Sequence, residues 1–338
     1  MIIIENVSLK PHNTFGVEAM AATFAEMHSL QDIQLFLNTS KYRGKPLLIL
    51  GGGSNILFTK DFDGVVVKIS SKGIMKITET DEHVFLNVQA GVDWNEFVDY
   101  CLKNNHGGVE NLALIPGTVG SSPIQDIGAY GVEVKEVIES VEVVNIETLQ
   151  MFELTNNECK FGYRNSIFKN ELKGKVIIVS VTFKLDKIHK LNLEYGALKQ
   201  ELKEKNITNP GIQDVAKAVS DIRRCKLPDP KEIGNSGSFF KNPSLHKDAF
   251  TKLKSAFPDI PSYAQPDNTY KIPAGWLIEQ CGWKGHREGD AGVHAQQALV
   301  LVNYGNATGK QILALANKIQ KSVLDKFAVE LEMEVNVV

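Results

Sequence analysis

Gly234-Asn235-Ser236-Gly237-Ser238-Phe239-Phe240-Lys241-Asn242-Pro243 sets a hydroxyl between glycine-rich backbone and two bulky aromatics. A serine so placed can press close to a ligand in a dry, shaped pocket. Its hydroxyl is a poor acid in water. Ser238 therefore makes sense as a proton donor only to something strongly basic, such as a carbon carrying negative charge. That is chemistry in which a hydride arrives on one carbon and a proton follows on its neighbour. The other reading of the same residues is a tight turn followed by a buried Phe pair.

Two further segments can hold a nucleotide. The first is Leu50-Gly51-Gly52-Gly53-Ser54-Asn55-Ile56, after a short apolar run. Consecutive glycines let main-chain N–H groups converge on an anion, with Ser54 and Asn55 as extra donors. It is neither G-x-G-x-x-G nor a P-loop. The second spans residues 115–131 and includes Pro116, Gly117, Thr118, Gly120, Ser121, Ser122, Ile124, Gly128, Ala129 and Tyr130. So many glycines, prolines and hydroxyls cannot build a regular element, and such a loop in a compact chain is usually functional. Its amides beside Ser and Thr suit a pyrophosphate, while Ile115, Ile124 and Ile127 can pack on a flat ring. Together the loops suggest a large diphosphate ligand such as FAD. A plain glycine-rich turn is the competing reading of the first loop.

These segments need elements to position them. Residues 19–24 read as extended. Ser29 reads as an N-cap, with Leu30, Ile33, Phe36 and Leu37 at helical spacing. Residues 47–50 read as a buried strand and 65–69 as another. Val84, Leu86, Val88 and Ala90 alternate as a half-buried strand. Asp93 then caps a helix with Trp94, Phe97, Val98, Cys101 and Leu102 on one face. Strand signals follow at 141–144 and 176–182. A helix is expected over 212–224, ended by Lys226-Leu227-Pro228-Asp229-Pro230. Residues 298–302 read as a strand, Ile312, Leu315, Ile319 and Val323 as a helix face, and Val329 to Val337 as an alternating final strand.

A chain of 338 residues suggests two to three domains. With 43% hydrophobic and 23% charged residues it has the composition of a soluble globular protein. A net charge of −3 makes no general bid for nucleic acid or anionic membrane. No apolar run approaches the ~20 residues that span a bilayer, and the N-terminus lacks a signal-peptide pattern. No metal is expected, because Cys101, Cys159, Cys225 and Cys281 are scattered and form no zinc pattern. They read as reduced thiols in a cytoplasmic protein. Cys225, flanked by Arg224 and Lys226, is either reactive or an ordinary helix-end cysteine.

Residues 13–16, 51–55, 111–131, 161–166, 234–243, 275–278, 294–297 and 331–335 resemble, in that order, the UDP-N-acetylenolpyruvoylglucosamine reductase (MurB) family. The likeness covers nearly the whole chain. The insertion carrying Tyr263 resembles the family's longer subtype, in which a tyrosine loop closes over the substrate. The resemblance implies an α+β protein. Residues 1–72 and 73–225 would form a two-subdomain FAD-binding fold of the vanillyl-alcohol-oxidase type, the first completed by residues 328–338. Residues 226–327 would form a C-terminal α+β substrate-binding domain. FAD would be non-covalent, reduced by NADPH, and the enolpyruvyl ether of UDP-N-acetylglucosamine would become UDP-N-acetylmuramate. The protein is expected to be a monomer.

By the same resemblance Ser238 donates the proton. Arg164, in the turn Phe161-Gly162-Tyr163-Arg164, clamps the enolpyruvyl carboxylate, which suits a planar fork with two donors. Left to pattern alone, Arg164 is a surface ion pair and Glu334 a residue on a solvated strand face. The resemblance selects Glu334 over Glu332 as the group that reaches the reacting enol. Tyr195, Lys226, Asn242, Tyr263, Lys284 and Gln297 match positions that hold the UDP-sugar, and each taken singly is a surface or packing residue. Gly51, Gly52, Gly53, Ser54, Asn55 and the second loop match the cofactor site. Two rivals are an oxidase of the same flavin fold and a nucleotide-sugar binding module without activity.

Overall fold

Alternating strand and helix signals over the first 69 residues fold into a four-stranded sheet in the computed structural model, which describes residues 1–338. Its strands are β1 (Ile2–Ser8), β2 (Met20–Met27), β3 (Leu47–Leu50) and, after the short β4 (Ile56–Leu57), β5 (Phe62–Ile69). The order is β1-β2-β5-β3, with β2 and β3 parallel to β5. Parallel strands need a crossover, and α1 (Leu30–Asn38) supplies one between β2 and β3. The Ser29 hydroxyl accepts the Asp32 amide at its start, a cap worth about 1 kcal/mol. β3 departs from expectation. It lies at the sheet edge and only Leu50 is fully buried, because an apolar run does not by itself distinguish edge from centre.

A five-stranded antiparallel sheet follows. It comprises β6 (Ile74–Glu79), β7 (His83–Gln89), β10 (Ile138–Asn145), β11 (Met151–Thr155) and β12 (Val176–Asp186), in the order β11-β10-β12-β7-β6. The central β12 is buried on both faces, so Ser180 and Thr182 lie inside. Buried hydroxyls need partners. Asn87 Nδ2 donates to both, at 3.0 and 3.2 Å, and Ser180 donates to Glu142.

Between β7 and β10 lie α2 (Trp94–Lys103) and the small hairpin β8 (Gly128–Ala129) to β9 (Val132–Glu133). Asp93 caps α2 by accepting the Asn95 and Glu96 amides. The helix buries Trp94, Phe97, Val98 and Cys101, each large apolar side chain worth about 1.5–3 kcal/mol. Trp94 Nε1 donates to the Leu112 carbonyl at 2.9 Å, fixing the entrance to the second loop. After β12 come α3 (Gly196–Glu204) and α4 (Ile212–Lys226), the latter burying Ile212, Val215, Val219 and Ile222. These elements share one apolar core and form one compact unit, Met1–Val7, Ala21–Gly52 and Phe62–Cys225.

The other unit is Ser8–Met20, Gly53–Asp61 and Lys226–Val338. Its four-stranded antiparallel sheet has the order β13-β19-β18-β17, from β13 (Gly234–Ser238), β17 (Arg287–Glu288), β18 (Ala291–Val293) and β19 (Val300–Asn303). A smaller sheet, ordered β14-β16-β15, joins β14 (Ser244–His246), β15 (Tyr263–Ala264) and β16 (Thr269–Lys271). The helices are α5 (Lys247–Ala256), α6 (Ala274–Gln280) and α7 (Gly309–Phe327). α7 starts with a Thr308–Gln311 capping box and buries Ile312, Leu315, Ile319 and Val323.

The expected final strand is mostly absent as a ladder. Only β20 (Asn336–Val337) pairs as a strand, parallel to β4, and Met333 adds one isolated bridge to Phe240. Burial still alternates, with Val329, Leu331 and Val335 inside. The period-2 pattern therefore reports an extended chain against a core, and not ladder partners on both sides. No helix is long and apolar enough to cross a membrane.

Candidate active site

In the first unit the two sequence-distant loops touch. A Cβ on Gly52 would lie 2.9 Å from the Gly117 Cα, and one on Gly51 2.6 Å from Thr118 Oγ1. Gly120 is held equally close to Ala90. Only glycine permits such contact. The second loop differs from expectation in where its donors go. Ser121 Oγ donates to the Thr118 carbonyl and accepts the Thr118 amide, and the buried Ser122 donates to the Val119 carbonyl at 2.8 Å. The amides of Val119, Gly120, Ser121 and Ser122 all bond to protein carbonyls. These groups shape the loop and do not wait for a phosphate. No backbone carbonyl accepts the amide of Gly52 or Gly117, where the two glycine loops meet. Of the three isoleucines, Ile127 is buried in the core while Ile124 is exposed.

Arg164 belongs to the same unit. It sits at φ +52° in a turn closed by a Gly162–Asn165 bridge. Its guanidinium donates to the Asp126 carbonyl at 3.0 Å and the Gly128 carbonyl at 2.6 Å. The planar fork thus grips the loop that leads to Gly128, Ala129 and Tyr130. Tyr195 is the residue before α3, 48% exposed, with its ring edge-on to Tyr130 at 5.2 Å.

In the second unit Ser238 ends β13 at a bulge. The register slips between Asn235 and Ser238, and Gly237 takes φ +66°. Bulges re-aim side chains, and this one leaves Ser238 exposed while Phe239 and Phe240 are wholly buried. The local geometry is that of the other reading, a tight turn followed by a buried Phe pair. The rings anchor the segment from below, against Phe15 and each other. Polar bonds hold it from the side. Asn235 Oδ1 accepts the Gly237 amide, the Asn235 amide donates to the Thr14 carbonyl, and Thr14 and Ser236 hydroxyls meet at 3.3 Å.

Glu334 lies beside this segment. Its amide donates to the Phe239 carbonyl at 2.8 Å, Met333 bridges Phe240, and its carbonyl accepts Asn55 Nδ2. Glu332, two residues back, is exposed and ion-paired with Lys241. Glu332 is thus taken up by an ion pair, while Glu334 joins the Ser238 segment through its backbone. Asn55, of the first loop, also accepts the Asn336 amide on its carbonyl. The neighbouring Gly53 packs its backbone on His12, where a Cβ would lie 2.0 Å from the carbonyl oxygen, and Ser54 follows it.

The residues of this unit expected to bind the nucleotide-sugar are placed separately. Asn242 Oδ1 caps α6 by accepting the Ala274 amide at 2.9 Å, and Gln297 Oε1 lies 3.3 Å from where a Gly275 Cβ would be. Lys284 pairs with Glu279 near the other end of α6. Tyr263 is 61% exposed on β15. Lys226, the last residue of α4, is exposed.

Comparison with known proteins decides the family. A model described as the C-terminal domain of UDP-N-acetylenolpyruvoylglucosamine reductase matches residues 229–338, and one described as an FAD binding domain matches 21–149. A Flavobacterium johnsoniae UDP-N-acetylenolpyruvoylglucosamine reductase is 52% identical over the whole of both chains. One from Pseudomonas fluorescens is 48% identical over 98% of this chain and 97% of its own. The chain belongs to the UDP-N-acetylenolpyruvoylglucosamine reductase family. The fold agrees: the crystal structure of the Thermus caldophilus family member superposes with a TM-score of 0.68, covering 99% of both chains at 23% identity.

The residues present fit FAD, since the apposed Gly52 and Gly117 backbones leave no room for side chains and lie within the FAD-binding domain match. Three residues of this reductase escaped sequence reasoning. Asp126 is fully buried at φ +45° beside Lys135, and burial pushes its carboxyl up to about 6. Arg223, on α4, keeps a buried Nε without a partner. Burial lowers its pKa while the nearby Tyr130 phenol raises it. A helix periodicity that tracks only apolar residues passes over both Arg223 and the loop acid. Lys271, on β16, stands in register between Ser244 and Tyr263.

Proposed function

We propose that this chain is an NADPH-dependent flavoenzyme that reduces the enolpyruvyl ether of UDP-N-acetylglucosamine to UDP-N-acetylmuramate, a peptidoglycan precursor. The observation that carries this reading is full-length likeness to reductases of that name at 52% and 48% identity. FAD, refilled by NADPH, supplies the hydride when bound. The protein's own residues do the rest. Residues 1–72 and 73–225 hold the cofactor, with Gly51, Gly52 and Gly117 keeping the two loops in contact and Gly120 packed on Ala90. Residues 226–327 take the nucleotide-sugar, with Lys226, Lys284 and Lys271 for its diphosphate, Tyr263 as a flat face with a hydroxyl tip, and Asn242 and Gln297 as polar contacts; Tyr195, among residues 73–225, is a further such face. The enzyme works as a cytoplasmic monomer.

Ser238 gives its proton to the carbon next to the one that receives hydride. A bulge that presents the hydroxyl outward, on a base of two buried rings, suits proton transfer, because the donor is rigid without being enclosed by its own chain. Arg164 steadies the substrate carboxylate, next to which negative charge develops, and Glu334 stabilises the enol beside Ser238. Pre-aimed groups of this kind are often the largest catalytic contribution.

The reading is tested by an absorbance spectrum of the purified protein in the absence of air. It should show oxidised flavin, lose that band on adding NADPH, and recover it on adding the enolpyruvyl sugar. A band that returns only with oxygen and peroxide release would make the protein an oxidase. Absence of flavin and of NADPH consumption would leave a binding module.

A further inference from the structure

Two asparagines join the second loop to the segment that ends at Tyr195. Asn111 is 1% exposed, and its Nδ2 donates to the Tyr130 carbonyl at 3.0 Å and the Asn192 carbonyl at 2.9 Å. The Asn192 side chain returns the link, its Nδ2 donating to the Gly131 carbonyl at 3.0 Å. Its Oδ1 accepts the Glu194 amide, which stiffens the chain toward Tyr195. The Tyr195 ring then meets Tyr130 edge-on. The result is a closed loop of contacts: Tyr130 to Asn111 to Asn192, back to Gly131, and on to Tyr195.

Residues 187–195 belong to no helix or strand. Leu191 and Leu193 pack on the core, but the carbonyl and amide positions near Tyr195 are set by the asparagines. The other end of the link is strained. Tyr130 holds φ +49° and Gly131 +85°, and a non-glycine residue in that region costs of order 1–3 kcal/mol and persists only when its surroundings over-determine it. The Asn111 bond to the Tyr130 carbonyl is one such constraint. A Cβ at Gly131 would also press the Asn192 side chain at 3.4 Å. If the turn relaxed, both hydrogen bonds would be lost, and Asn192 and Tyr195 with them.

We propose that Asn111 and Asn192 are positioning residues that tie Tyr195 to the cofactor loop, so that FAD binding and nucleotide-sugar binding strengthen each other. The proposal rests on the reading that the 111–131 loop holds FAD and Tyr195 contacts the sugar nucleotide. Linkage makes the coupling reciprocal, and such couplings typically amount to about 5- to 150-fold.

The experiment measures FAD dissociation from the holoenzyme by flavin fluorescence, with and without the enolpyruvyl sugar and without NADPH, so that no turnover occurs. In the native protein the sugar should tighten FAD by roughly tenfold. In Asn192→Ala the tightening should fall below about twofold, with FAD affinity in the absence of sugar changed only a few-fold. Asn192→Asp keeps the acceptor for Glu194 but cannot donate to Gly131, so it should behave the same way and serves if the alanine variant folds poorly. A merely structural role would weaken FAD equally with and without sugar and leave the ratio intact, overturning the proposal. So would a native protein showing no tightening. Tyr195→Ala separates the two readings: if it leaves sugar affinity unchanged, the assignment of Tyr195 fails, and the coupling with it. If it weakens the sugar while Asn192→Ala keeps the full ratio, only the coupling fails.

Discussion

Around Thr118 and Ser121 the amides and hydroxyls are spent inside the loop, and glycines let two backbones touch. Around Tyr263, Lys226 and Lys284 the side chains stand largely in solvent, held by little more than an exposed Lys284–Glu279 pair. Such a surface pair is worth about 0–1 kcal/mol, so Lys284 can exchange it for a phosphate at small cost. The glycine loops are fixed by their own chain. The lysines and Tyr263 are displayed. The Ser238 segment combines the two, with a rigid base and an exposed hydroxyl.

That contrast can be broken at several points. Among the carboxylates the largest effect belongs to Glu334, whose amide bonds to Phe239. Glu334→Gln should lower turnover by about 100-fold or more, the lower range for a lost acid–base or polar catalytic group. Glu332→Gln, which removes only the exposed partner of Lys241, should change it less than about twofold, the scale of a surface pair. Steady-state kinetics that found the two variants equal would remove Glu334 from the site.

A preformed cradle predicts sensitivity to a single methyl. Gly52→Ala puts a Cβ 2.9 Å from the Gly117 Cα. Overpacking of roughly 1–3 kcal/mol corresponds to about 5- to 150-fold weaker FAD. Flavin retention on dialysis checks it, and native-like retention would show that the two backbones need not touch.

Displayed residues should behave otherwise. Lys284→Ala or Tyr263→Phe should raise KM for the sugar, by about tenfold for the lysine, a charge-assisted bond being worth about 1.5–3 kcal/mol, with kcat little changed. A fall in kcat at constant KM would place these residues in the chemistry instead.

The smallest effect concerns Asp126, whose raised pKa has a definite sign. The folded protein holds this proton more tightly than the unfolded chain does. Stability should therefore fall as pH rises from about 4, the ordinary aspartate value, to about 6, with the full penalty above that. Asp126→Asn should flatten this slope. Denaturant midpoints across the window test it, and identical slopes in both proteins would count against a buried, protonated Asp126.

Much of the scaffold was legible in residue patterns. Ser29 and Asp93 announced their helices because a cap needs a particular side chain at one position. α4 and α7 were visible because each buries one apolar face. Edge and centre were not: β3 is apolar but peripheral, and Ser180 and Thr182 are polar but buried, because burial depends on what the rest of the chain lays over a strand. The site was read in outline. Glycine spacing located the loops, yet the hydroxyls taken for phosphate donors turn inward, since a short hydroxyl's nearest acceptor is often its own loop. The buried Phe pair after Ser238 was legible, while the bulge that turns its hydroxyl outward was not. Arg223 and the Asn111–Asn192 link depend on residues well separated in sequence meeting in space, which no local pattern records.

The assignment of position 238 as the proton source is tested most directly by following the two half-reactions of Ser238→Ala separately in a stopped-flow instrument. Flavin reduction by NADPH should keep its native rate, while reoxidation by the enolpyruvyl sugar should slow by roughly 10²- to 10⁴-fold. Equal slowing of both steps, or native reoxidation, would contradict it.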